Sequence, residues 1–197
     1  MRKLVLAWML ASFAGAAAAD PLTDALEAGD GKLCFARHYD SAWLKAHPGQ
    51  TVRDAKLSLT YDPEDQSWTV MRVKLQTSAR TMYLYGGCGW NDHVNRGVQD
   101  DILDPSYKIE AGVGCHMMTD VTGGSAEEGG DFPVDWRDPQ KVQMHLPDSL
   151  AAWASTDVRR YAKFVELKAA DRIIRLDKMP ASECRALVTG FAPGGFR

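Results

Sequence analysis

The chain has 197 residues, with 23 Lys and Arg against 26 Asp and Glu and a formal net charge of −3. That mild acidity, with no long basic block, argues against nucleic acid or an anionic membrane surface as a partner. The length suits one domain with a core of ordinary size.

The first twenty residues read MRKLVLAWMLASFAGAAAAD. Arg2 and Lys3 give a positive start, Leu4 to Ala14 is mostly apolar, and small residues run from Gly15 to Ala19. This is the pattern of a secretory signal peptide. The run is too short for a membrane-crossing helix, which needs ~20 apolar residues. It has no Arg-Arg pair for the twin-arginine route and no cysteine at the cleavage point for a lipid anchor. The expectation is cleavage near Ala19, with residues 20–197 released as one domain to the periplasm or the medium and not inserted in a membrane. Losing Arg2 and Lys3 leaves 21 basic against 26 acidic side chains.

Pro21 to Gly31 then reads as a short helix or a loose lead-in. LCFARHY, Leu33 to Tyr39, alternates as a strand does. Asp40 is placed to cap a short helix, SAWLKAH, which Pro48-Gly49 ends. VRDAKLSLTYD puts Leu57 and Leu59 on one face, with Lys56, Ser58 and Thr60 on the other. After the turn cluster DPEDQS, WTVMRVKLQT resumes the alternation with Met71, Val73 and Leu75. TMYLYGG adds a strand with Met82 and Leu84 opposite Tyr83 and Tyr85. A loop from Gly89 to Ser106 follows, then the strand YKIEAGVGCHMM. DFPVDW and KVQMHL are two more strands, and Pro133 marks the first as an edge. From Ser149 the period changes, and SLAAWASTDVRRYAKF reads as one or two short helices. FVEL and RIIRLDKM read as late strands, and ASECRAL as a terminal helix. Eight or nine short strands separated by turn clusters predict a mainly β fold. The architecture expected is a single antiparallel β-sandwich or barrel-like domain with a few short helices.

Four cysteines remain after cleavage: Cys34, Cys88, Cys115 and Cys184. An even count in an exported chain predicts two disulfides. No Cys-x-x-Cys pair is present to support redox or zinc chemistry. Of the three possible pairings, Cys88–Cys115 and Cys34–Cys184 are favoured. The first joins neighbouring strand candidates and the second ties the two ends of the chain together; the other pairings stay open.

LCFARHYDSAWLKAHPGQTV, GCGW and RIIRLDKMPASEC together resemble a group of small exported four-cysteine proteins of proteobacteria. The resemblance implies export, four cysteines and one β-rich domain. It implies no activity and transfers no catalytic residue.

GGCGWNDHVNRGVQDD, Gly86 to Asp101, concentrates chemistry-bearing residues and reads first as a glycine-rich corner pinned by a disulfide. His93, His116 and Asp92, with Asp100, Asp101 and Asp104 nearby, form the one candidate metal set. The calcium-loop pattern fails, because Val94 and Arg96 stand where oxygen ligands belong. There is no His-Glu-x-x-His, no Gly-x-Ser-x-Gly and no phosphate-cradling glycine loop. Tyr83, Tyr85 and Trp90 are the candidate ligand-binding aromatics, with Trp68 and Trp136 close in the predicted sheet. The functional expectation is an exported, non-catalytic binding module for an envelope ligand or protein, needing no cofactor. The alternative is a small hydrolase or an enzyme dependent on a divalent metal, built on His93, His116 and the aspartates.

Overall fold

The computed structural model describes residues 20–61, 69–91, 112–119, 129–158 and 161–191. Asp20 caps helix α1 (Pro21–Ala28): its carboxylate accepts from Thr23 N at 2.8 Å, and Pro21 occupies the first turn, where no N–H partner is needed. Gly31, at φ 72°, turns the chain into strand β1 (Lys32–His38). Asp40 caps helix α2 (Ser41–Ala46) through Trp43 N at 2.7 Å, as the sequence predicts. The strands that follow are β2 (Val52–Tyr61), β3 (Thr69–Thr77), β4 (Thr81–Asn91), β5 (Gly112–Met117), β6 (Asp131–Asp138) and β7 (Lys141–His145). A hairpin of β8 (Ser149–Ala152) and β9 (Lys163–Glu166) leads through a one-turn 3-10 helix, Ala169–Asp171, to β10 (Ile173–Met179). A second 3-10 turn, Ala181–Cys184, runs into helix α3 (Arg185–Gly190).

Eight of these strands close into an antiparallel barrel, in the ring order β1-β10-β7-β6-β5-β4-β3-β2. β8 and β9 form a separate two-stranded sheet. The alternation read from the sequence is the physical basis of closure. Leu57, Leu59, Met71, Val73, Leu75, Met82 and Leu84 all join one buried core inside the ring. Phe35 and Phe132 are fully buried there, and the Phe35 and Trp136 rings meet edge to face at 5.2 Å. The outer positions carry Lys56, Lys74, Gln143 and Arg175. An apolar interior with a charged exterior reverses the arrangement of a lipid-embedded barrel. Among the described residues no helix is long and apolar enough to cross a membrane.

The two barrel ends are covered by different means. Leu22 and Leu26 of α1 join the core at the end where β1 begins and β2 finishes. At the other end the β8–β9 hairpin contributes Leu150 and Ala152, with Val165 and Leu167 packed against them. Trp153 N and O bond the backbone of Tyr83 at 2.8 and 2.9 Å, which fastens the hairpin to the start of β4. Buried Asp171 latches the exit: its carboxylate accepts from Thr51 N at 2.6 Å, Val52 N at 2.9 Å and the Thr51 hydroxyl at 2.5 Å.

Both favoured disulfides form. Cys88 and Cys115 are direct register partners across β4 and β5, and their sulfurs face the core. Cys34 bonds Cys184 from outside the barrel, where β1 and β10 share only three register pairs, Cys34 to Ala36 against Met179 to Asp177. Below those pairs Tyr39 fills the seam, its hydroxyl donating to Arg175 O at 3.2 Å.

Three sequence expectations are corrected. The described residues of 149–164 are not helical; the stretch begins in β8 and ends in β9, because pairing with the β4 backbone outweighs the helix propensity of its alanines. Pro133 is not on an edge strand, since β6 has β5 and β7 on its two sides. The β6–β7 register starts at Val134–Met144, one residue past Pro133, so the missing N–H weakens one ladder at most. Gly89 and Trp90 belong to β4 rather than to a loop.

Candidate functional site

The chemistry-rich stretch divides in two. Gly86 to Asn91 is strand; residues 92–101, with Asp92 and His93, lie outside the described residues, as does Asp104. A Cβ at Gly86 would run into the His116 carbonyl, so only glycine lets β4 and β5 approach this closely beside their disulfide. The described half is thus a pinned corner.

His116 is on β5, half-exposed, with Nδ1 2.5 Å from Asp131 Oδ1, its register partner on β6. His38, on β1, makes the same kind of pair with Asp54 of β2 at 2.6 Å. His145, on β7, is buried; its Nε2 lies 2.9 Å from Gln143 Nε2, and Asp135 and Arg137 are its charged neighbours. Burial holds this imidazole at a pKa of about 4, with the Asp135 carboxylate opposing that shift and the Arg137 guanidinium adding to it. No two of β1, β5 and β7 are neighbours in the ring. Among the described residues no group of three His, Cys, Asp or Glu could hold a metal ion.

The predicted aromatics also separate. Tyr83 and Tyr85 do point out of the barrel, but they lie beneath the C-terminal segment. Phe191 sits 6.0 Å from the Tyr83 ring and stacks on Tyr85 at 5.6 Å. Tyr85 is buried, with Val70, Met118, Trp153, Val158, Leu187 and Phe191 forming a second core outside the wall. Trp90 packs against the main core, Trp136 is inside it, and Trp68 lies outside the described residues.

Three surface depressions lined by described residues stand out. A groove of about 480 Å³ follows the β2–β1–β10 wall past His38, Asp54, Lys56, Asp177 and Glu183. A second, of about 380 Å³, lies across β10, β7 and β6 and holds Arg137, Lys141 and Arg175. Arg37 and Asp177 line both. Three of their cations are paired, while Lys141 makes no ion pair among the described residues and Arg175 donates to Gln143 Oε1 at 2.9 Å. Arg37 pairs with Asp177 at 3.3 Å, Lys56 with Glu183 at 3.6 Å, and Arg137 with Asp135 at 2.6 Å. The Arg37 guanidinium also covers the Tyr39 and Trp43 rings, each at 5.4 Å.

The third depression, about 380 Å³, lies between the start of β4 and the β8–β9 hairpin. Met82, Ala152, Trp153 and Val165 give it an apolar floor, Arg80 and Lys163 flank it, and Tyr161 stands at its rim with 75% of its surface exposed. Sequence reasoning missed this site because it assigned 149–164 to helices, which would scatter Trp153, Tyr161 and Lys163. The missed signal is the exposed aromatic in YAKF beside a strand, FVEL, that the sequence does reveal. In comparisons with known proteins, no family model, curated protein or solved structure matches the chain.

Proposed function

We propose that this protein is an exported, disulfide-locked binding module of the cell envelope, and that its ligand occupies the cleft beside the β8–β9 hairpin. One observation carries the reading. Among the described residues, the cleft is where apolar floor, exposed aromatic ring and cations meet in a volume at the lower end of small-molecule sites. The leader-like residues 1–19 and two disulfides support passage to an oxidising compartment, the periplasm or beyond. The apolar-in, charged-out wall supports a soluble body.

Native and denaturing mass spectrometry of protein recovered from the envelope fraction tests both halves. The expected result is a chain starting at Asp20, four oxidised cysteines and a retained small molecule, which Tyr161→Ala depletes. An unprocessed cytosolic chain with open thiols would overturn export. Retention unaffected by Tyr161→Ala would move the ligand away from this cleft.

A further inference from the structure

The cleft differs from the two seam grooves in having aromatic rings, Trp153 and Tyr161, among its lining residues. In the grooves Arg37, Lys56 and Arg137 are each paired with a carboxylate, while Lys141 and Arg175 make no ion pair among the described residues. In the cleft, Arg80 and Lys163 make no ion pair and no side-chain hydrogen bond among the described residues. The carboxylate that lines the cleft, Asp157, already has an interaction of its own.

The topology sets these two cations on opposite sides of one strand end. Arg80 closes the turn before β4, where the Thr77 hydroxyl accepts from the N–H groups of Ala79 at 3.2 Å and Arg80 at 3.0 Å. Lys163 opens β9, in register with Ala152 of β8. Between them runs the end of β8, whose Trp153 is tied through its backbone to Tyr83. The apolar floor is therefore fixed by the β8–β9 ladder and the Tyr83–Trp153 bridge, with the two exposed cations beside it.

From this we infer that the cleft selects an amphipathic anion: a small carboxylate carrying an aryl ring or a medium-length alkyl chain. The inference rests on the cleft being the ligand site. The hydrocarbon part covers Met82, Val165 and the Trp153 edge of the floor, and the Tyr161 ring closes over it. The carboxylate takes the Arg80 guanidinium, whose planar fork matches two carboxylate oxygens, with Lys163 as a second point charge. A neutral molecule of the same shape leaves both cations without a partner, and a cationic one meets repulsion.

Decanoate, decan-1-ol and decyltrimethylammonium separate the possibilities on the oxidised mature chain, followed by calorimetry and tryptophan fluorescence. Decanoate is expected to bind about ten-fold more tightly than decanol, with the advantage shrinking as salt is added. Arg80→Gln combined with Lys163→Gln removes that advantage and leaves decanol affinity unchanged. Both residues are exposed, so thermal unfolding of the double variant stays near that of the parent. If all three probes bind equally and Tyr161→Ala weakens each, the cleft stands as a ligand site and the anion preference is overturned. If the double variant keeps the decanoate preference, these cations are not its source and the inference fails. If no probe binds, cleft and inference fall together.

Discussion

The barrel and the β8–β9 hairpin use the same kinds of side chain to opposite ends. In the ring, apolar residues point inward into one buried core: Phe132 has none of its surface exposed. In the hairpin, Leu150 and Ala152 are spent on covering the barrel end, whereas Phe164 is 59% and Tyr161 75% exposed. The ring is a scaffold whose interior is lined with buried apolar side chains. The hairpin is an insertion between β7 and β10 that carries its aromatic rings on the outside. The proposed binding surface lies where that short segment meets the start of β4.

The sharpest way to test that contrast is one substitution made in both regions. Phe132→Ala empties a closed lumen and is expected to destabilise by about 4 kcal/mol in urea unfolding. A value near zero would mean the lumen is loosely packed and the scaffold reading is wrong.

The two joints between ring and hairpin come next. His145 ends β7, and its imidazole is held at a pKa of about 4 by burial. The unfolded chain takes up this proton near pH 6.5 and the folded chain only near pH 4, so the unfolded state binds more protons between those values. Stability is complete above pH 6.5 and is lost as pH falls toward 4, by about 3 kcal/mol from this group. Unfolding free energies measured across that window should show the loss, and His145→Gln should flatten it; an unchanged slope would mean His145 is not the source.

Asp171 guards the other joint. Asp171→Ala leaves the N–H groups of Thr51 and Val52 without their acceptor and is expected to cost about 2–3 kcal/mol. Hydrogen exchange should place the loss first at the start of β2 and in β9. The smallest effect is the counterpart of the first: Phe164→Ala should change stability by no more than about 0.5 kcal/mol, since that ring is already in water. A cost like that of Phe132 would show the hairpin's outer face to be covered.

Much of the scaffold can be read from local pattern. Alternation around Leu57, Met71 and Met82 predicts both the strands and the face each residue shows, because a strand repeats every two residues whatever lies beside it. Capping by Asp20 and Asp40 is equally local, each carboxylate reaching an N–H three residues on. The candidate site is legible only in part. Tyr83 and Tyr85 have the outward direction their spacing predicts, but Phe191, more than a hundred residues later, covers them.

By itself, then, the sequence determined most of the strands, their inner and outer faces, the Asp40 cap and, by neighbourhood, the favoured sulfur pairs. Tertiary structure alone decided that the sheet closes, since β1 meets β10 through contacts about 140 residues apart in the chain that no local period records. It also decided that an alanine-rich stretch becomes a hairpin, because the free N–H and C=O groups of Tyr83 gave Trp153 a ladder to join. Local preference is a matter of tenths of a kcal/mol per residue, and a backbone partner supplied from elsewhere in the fold outweighs it.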